Sequence, residues 1–256
     1  MRERSDTHMV DLWGLTDKGM VRAQNQDACA FQQKDGYAWA VVCDGMGGAA
    51  AGDLASTMAR DRYESHMAYL EAPTLELEEG DLMLQAVQDA NRAVYLKAGT
   101  NRAFAGMGTT LVGALIRDHD LWMVNVGDSR MYIAHGDQIE QITHDHSYVQ
   151  YLVDTGRITA EEARTAQNRN IITRAVGTES SVDADVFVTE IDFAGMAAYA
   201  LLCSDGLSNH IAQDELAEIL SADTDVSAKA DTLVSRANSY GGTDNITAVV
   251  IKLENC

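Results

Sequence analysis

The sequence predicts an α+β fold in which helices pack outside antiparallel sheets. Two observations carry that expectation. Short strand-like runs outnumber helical ones, and the helical runs come in blocks rather than after every strand, so the alternation typical of a doubly wound parallel sheet is absent. Consecutive strand runs are also joined by short turns such as His135-Gly136-Asp137, which antiparallel neighbours can use and parallel ones cannot.

In chain order, strands are expected over 28–32, 37–43, 109–117, 121–126, 131–135, 138–142, 186–191, 197–203 and 246–253, mostly bounded by Gly, Asp or Asn. Two long helices separate the second strand from the third. Ala51, Ala55, Ala59, Tyr63 and Met67 recur every four residues in the first, and Met83, Val87, Ala90 and Val94 every three or four in the second. That is the spacing of one buried helix face. The acidic stretch 71–81 between them holds the single proline, Pro73, and reads as an exposed loop. A late helix places Val226, Ala230, Leu233, Val234 and Ala237 on one side. Residues 143–177 are polar and helix-prone with little strand character, and Thr159-Ala160-Glu161-Glu162 has the form of a capping box. An excursion of that length is either a lid over a site or a plain surface insertion.

At 256 residues and 46% hydrophobic, the chain can bury a substantial core. No low-complexity segment or Pro/Gly/Ser-rich linker divides it, so a single domain over 1–256 is expected. A formal charge of −20 argues against nucleic acid and anionic membranes as partners, since both require clustered Lys and Arg. Cys29, Cys43, Cys203 and Cys256 form no CxxC pair and read as small hydrophobes in a reducing compartment. With no apolar signal core at the N-terminus and no apolar run of 18 residues, the expected location is the cytoplasm.

Chemistry concentrates at four aspartates beside Gly or Ser, where apolar strands end or begin. They are Asp44 in Cys43-Asp44-Gly45-Met46-Gly47-Gly48, Asp128 in Val126-Gly127-Asp128-Ser129-Arg130, Asp205 in Cys203-Ser204-Asp205-Gly206 and Asp244 in Gly242-Thr243-Asp244-Asn245. Any one alone can be an ordinary turn or helix cap. A carboxylate at the lip of a buried strand is costly unless a cation or donor meets it. Four such turns point to one shared partner, and oxygen-only ligands suit hard Mg²⁺ or Mn²⁺. The Gly45 carbonyl can face the same ion.

Upstream, Arg22 stands five residues before Asp27. Arg22 can clamp a phosphate and Asp27 can orient water or a metal, or each can belong to a surface ion pair. His144 and His146 are spaced as HxH without a third nitrogen ligand nearby, which favours a solvated loop or a lid edge over zinc. His210 follows Asp205 closely, either at the surface or beside the site. No GxSxG, P-loop or GxGxxG after a strand is present, so acyl transfer and nucleotide binding have no support.

Taken together, Val21-Arg22 with Asn25-Gln26-Asp27, Asp44-Gly45-Met46-Gly47-Gly48, Gly106-Met107-Gly108-Thr109-Thr110, Gly127-Asp128-Ser129-Arg130, Ser204-Asp205-Gly206-Leu207 and Gly242-Thr243-Asp244-Asn245 resemble the metal-dependent protein phosphatases of type 2C in their short bacterial form, over 15–253. The resemblance implies a four-layer αββα sandwich of two packed antiparallel sheets with helices outside. It implies hydrolysis of phosphoserine and phosphothreonine in proteins, opposing a bacterial serine/threonine kinase. The chain is expected to act as a monomer. Two Mn²⁺ or Mg²⁺ ions are implied, with Asp44 bridging them, the Gly45 carbonyl on the second, and Asp205 and Asp244 on the first. Asp128 with Asp205 matches a third, weaker ion site. Asp27 matches the aspartate that supports metal-bound waters, and Arg22 the phosphate-binding arginine. Residues 145–177, with Asp145-His146-Ser147 and Arg169-Asn170-Ile171-Ile172-Thr173-Arg174-Ala175, look like the flap bordering substrate. Two ions about 3.5–4 Å apart lower the pKa of a bridging water and neutralise charge at phosphorus, so no protein nucleophile is required.

Three positions depart from the family pattern. Gln26 stands where many members carry a metal-binding glutamate, so the second ion is expected to lean on Asp44, the Gly45 carbonyl and waters. Met46 occupies the place of a histidine thought to protonate the leaving group in animal members. Ala49 replaces a histidine common after the double glycine in bacterial ones. The general acid is left without a residue, a metal-bound water being the candidate. Two other functions would use the same motifs: a silent phosphoprotein-binding scaffold, and a hydrolase of small phosphate esters or nucleotides.

Overall fold

The computed structural model describes residues 9–48, 51–71, 78–191 and 197–254. Ala49, Pro73 and Cys256 lie outside the described residues, as does the N-terminal stretch 1–8. One sheet has the strand order β1 (Met9–Asp17), β11 (Ile246–Glu254), β10 (Ala198–Cys203), β7 (Arg130–His135) and β8 (Gln138–Gln141). The other runs β2 (Asp27–Lys34), β3 (Tyr37–Met46), β5 (Leu111–Arg117), β6 (Asp120–Val126) and β9 (Asp185–Glu190), with β4 (Gly108–Thr109) against the end of β3. Every pairing is antiparallel.

Strand residues alternate between two buried faces. In β3, Trp39, Val41 and Cys43 face α1 (Ala51–Met67) and α2 (Glu79–Ala98), packing on Tyr63, Met67, Met83 and Val87. The intervening Ala38, Ala40 and Val42 face the other sheet and meet residues such as Ala200, Leu202, Val249 and Ile251. On the far side of that sheet, Leu201, Cys203, Ala248 and Val250 pack against α6 (Gln213–Ser221) and α7 (Val226–Ser239) through Leu216, Leu220, Ala230 and Leu233. Three apolar interfaces thus separate four layers, the expected αββα sandwich. Burial on both faces makes the central strands read as continuous apolar runs.

Beyond single helical turns such as α5 (Asp205–Ser208), two elements have no clear signature in the sequence. β1 is interrupted by Asp11 and Gly14, and it is held by nine-residue pairing with β11 rather than by its own propensity. Helix α6 spans nine residues, too short for a helical period to stand out. The expected strand over 109–117 is split at Thr110, because β4 pairs with Gly45 and Met46 while β5 pairs with residues 37–42. The segment 143–177 carries α3 (Tyr148–Asp154) and α4 (Ala160–Thr165), and α4 opens with the expected capping box between Thr159 and Glu162. Cys43 and Cys203 are buried free thiols and Cys29 a half-buried one. Among the described residues, no helix is long and apolar enough to cross a membrane.

Candidate metal and phosphate site

The site lies where both sheets open their strand ends at one edge. β2 begins at Asp27 and β3 reaches Asp44 in direct register with it. β10 ends at Cys203, so Ser204-Asp205 follow it, and β11 begins just after Asp244. The connection Gly127-Asp128-Ser129 leaves β6 in one sheet and enters β7 in the other. It is therefore a crossing between layers and not the hairpin turn its Gly-Asp composition also allows. Four aspartates distant in sequence become neighbours because antiparallel pairing returns these particular strand ends to one place.

Asp44, Asp128, Asp205 and Asp244 line one cavity of about 200 Å³, together with Arg22, Gln26, Gly45 and the flap residues Asn170 and Ile172. Asp27 stands behind it, 7% exposed. Its Oδ2 accepts from the Ser204 and Thr247 hydroxyls at 2.7 Å each, and its Oδ1 is buried without a partner. Arg22, on a half-exposed side chain, donates to Asp244 Oδ2 at 2.7 Å. Gly45 has no room for a side chain, since a Cβ there would come within 2.1 Å of the Gly52 carbonyl and 2.5 Å of that of Gln26.

Hydroxyls and one amide hold the backbone around these carboxylates in place. The Asp44 N–H donates to Thr110 Oγ1 at 2.9 Å, and the Asp44 carbonyl accepts from Thr110 N–H and Thr109 Oγ1 at the same distance. Thr110 Oγ1 also meets Ser129 Oγ at 2.7 Å, linking β3 to the Asp128 crossing. Asn245 accepts from Gln26 N–H and donates to the carbonyls of Lys18 and Gln24, which ties the Arg22 loop to β11. Thr110, Ser129, Thr247 and Asn245 were assigned no role from sequence. Their only signal was a hydroxyl or amide beside each aspartate motif, which turn chemistry explains equally well.

Burial is the leading cause that raises Asp27 to about 7, opposed by the two hydroxyl bonds and reinforced by the charges of Asp205 and Asp244. Asp128 is raised to about 8, again first by burial and then by Asp205 and Asp145, with Arg130 pulling it back. Asp44 and Asp205 also sit above the carboxylate range, because burial and neighbouring carboxylates disfavour their charge. A cluster of this kind cannot ionise fully without a cation. Among the described residues, no three His, Cys, Asp or Glu side chains already stand close enough to enclose an ion; the carboxylates ring the cavity instead. An all-oxygen donor set, an orphaned Asp27 Oδ1 and a Gly45 that lines the same cavity fit a hard divalent ion.

The remaining candidates fall into place around this cavity. Gln26 lines it, but its amide nitrogen turns to the Gly48 carbonyl at 3.4 Å. His210 is half-buried between two site loops, with Nδ1 2.8 Å from the Gly206 carbonyl and Nε2 3.1 Å from Thr243 Oγ1. His144 is exposed and faces Asp154, whereas His146 is buried at the base of the flap, the lid edge of the two expected positions. Asp128 and Asp205 also line a second cavity of about 280 Å³ that runs under the flap past Arg164 and Arg169.

Residues 20–248 match the family model of protein phosphatase 2C. The chain is 39% identical over 242 residues to the serine/threonine phosphatase stp of Listeria innocua, covering 93% of each. Its fold matches the crystal structure of serine/threonine phosphatase Stp1 from Staphylococcus aureus with a TM-score of 0.88 at 36% identity, over 99% of both chains. It also matches the catalytic domain of serine threonine protein phosphatase PstP in complex with 2 manganese ions, with a TM-score of 0.83 at 33% identity, over 97% of this chain and 100% of that one.

Proposed function

The chain belongs to the protein phosphatase 2C family, and we propose that the cavity ringed by Asp44, Asp128, Asp205 and Asp244 is its catalytic centre for dephosphorylating phosphoserine and phosphothreonine in proteins. The observation that carries this reading is the convergence of four buried or half-buried aspartates on one cavity that also receives Arg22. Asp205 and Asp244 would hold one Mn²⁺ or Mg²⁺ ion, Asp44 would bridge it to a second on the Gly45 carbonyl, and Asp128 with Asp205 would hold a third. When bound, such a pair supplies an activated water and neutralises charge on the transferring phosphoryl group.

The chain's own residues do the rest. Arg22 binds the phosphate, its planar fork matching two phosphoryl oxygens. Until phosphate arrives the guanidinium rests on Asp244 Oδ2, so the cationic clamp is held beside the site at little cost. Asp27, anchored on Oδ2 by Ser204 and Thr247, presents its free Oδ1 as an acceptor that orients water. Asn170 and Ile172 of the flap border the cavity and contact the substrate chain.

The same reading makes the chain one phosphatase domain, acting as a monomer in the cytoplasm on phosphorylated proteins that include a cognate serine/threonine kinase. Its test is Mn²⁺-dependent release of phosphate from a phosphothreonine peptide, expected in the native chain and lost in Asp205→Ala and Asp244→Ala. Tight metal binding without turnover would support a scaffold instead. A large preference for nucleotides over phosphopeptides would support a small-molecule hydrolase.

A further inference from the structure

His146 joins the flap to the rest of the site, and none of the roles above uses it. It is 8% exposed. Its backbone N–H donates to the Gly127 carbonyl at 2.9 Å, and its carbonyl accepts from Thr173 N–H at 2.8 Å. Gly127 N–H donates in return to His146 Nδ1 at 3.0 Å. Across the ring, Nε2 lies 3.0 Å from Asp185 Oδ2, and Arg174 donates to Asp185 Oδ1 at 2.7 Å.

These contacts define the tautomer. A ring nitrogen that accepts from Gly127 carries no proton, so the neutral imidazole has its hydrogen on Nε2 and donates to Asp185. Burial above all, with the Arg174 charge, lowers the His146 pKa against the pull of Asp185, consistent with a neutral ring. The approach of Arg174 to Nε2 at 2.9 Å is then a contact between two donors, and Asp185 is what both of them share.

Gly127 depends on these bonds. Its φ of +108° suits glycine, and a Cβ would meet Thr110 Cγ2 at 2.6 Å, so it has no side chain with which to pack. Both of its backbone hydrogen-bonding groups are taken by His146. Asp128 is the next residue, at the wall shared by the two cavities.

We propose that His146 is a positioning residue that sets Asp128 through Gly127 and ties that aspartate to the base of the flap through Thr173, Arg174 and Asp185. The inference rests on the reading of Asp128 as a ligand of the third, weak ion. The Asp128 geometry and the flap base then move together, because one ring holds both.

Asparagine and glutamine separate the two ends of the ring. The Asn amide reaches the position of Nδ1, and the longer Gln amide reaches that of Nε2. In the full chain, His146→Gln is expected to speed amide exchange at Gly127 in metal-free protein. It should also weaken the weak Mn²⁺ site about 10–100-fold by calorimetry, leaving the tight sites unchanged. His146→Asn retains both properties. Native values in His146→Gln, or equal losses in both variants, overturn the proposal. Should His146→Gln fail to fold, nitrogen NMR of the native ring decides: an unprotonated Nδ1 that accepts from Gly127 N–H is expected, and a protonated Nδ1 overturns the proposal. Asp128→Ala tests the underlying reading separately: it should abolish weak binding, spare the tight ions and lower turnover. If the weak ion persists there, the third-ion reading fails, and Gly127 exchange still decides the role of His146.

Discussion

Asp27 accepts two hydroxyl hydrogen bonds on one oxygen and none on the other, and a buried acceptor left open beside the cavity is one that a bound water or ion completes. Asp27→Asn preserves the size of the group and removes its charge. The expected result is a fall of about 10–100-fold in Mn²⁺-dependent turnover, with the circular dichroism spectrum unchanged; native turnover would reduce Asp27 to a packing residue. Arg22→Lys replaces a planar fork with a point charge. One lost charge-assisted hydrogen bond of about 1.5–3 kcal/mol corresponds to roughly 10–100-fold in kcat/KM, expected mainly as a raised KM for the phosphopeptide. A KM that does not move would make Arg22 only a partner of Asp244. At this scale the aspartates and Arg22 were legible in the sequence, whereas the hydroxyls of Thr110, Ser204 and Thr247 were not. A Ser or Thr beside an aspartate looks the same whether it bonds its own turn or a carboxylate 220 residues away.

Among the elements, the flap is anchored at both ends. His146 holds its start, and buried Asn91 of α2 holds its end, accepting from Gly177 N–H at 2.7 Å and donating to the Glu179 carbonyl at 3.1 Å. Asn91→Ala leaves the buried Gly177 N–H without its partner, which costs about 1–3 kcal/mol. A lower urea midpoint at unchanged slope is expected; an unchanged midpoint would mean that the flap end is free to find other partners. The helices α1, α2 and α7 were readable because each carries a full apolar period over 14 to 20 residues. The strand β1 was not, since its nine pairs with β11 supply what its own sequence lacks.

Across the whole molecule, the clustered carboxylates make stability depend on pH and metal together. Asp27 at about 7 and Asp128 at about 8 both lie above their ordinary value of 3.8. Between those limits the folded chain holds protons that the unfolded chain has released, so stability falls as pH rises. The contribution is complete below about 3.8 and lost as pH passes through about 7 to 8. A net charge of −20 adds self-repulsion in the same direction. Chelator-treated protein is therefore expected to lose thermal stability between about pH 5 and pH 8, and Mn²⁺ to restore it most strongly at the upper end. A Tm that is flat with pH in the absence of metal would mean that these carboxylates do not share one buried site.

By itself the sequence determined the α+β class, the four strand-end aspartates and the hard-ion chemistry they suit, because alternation, helical period and local composition are properties of neighbouring residues. Only the tertiary structure decided that Asp27 and Asp44 stand in register, that the Asp128 turn crosses between sheets, and that Arg22 rests on Asp244 across 222 positions. Those facts depend on which strand pairs with which, and non-local pairing is chosen by burial of the whole core rather than by any segment alone.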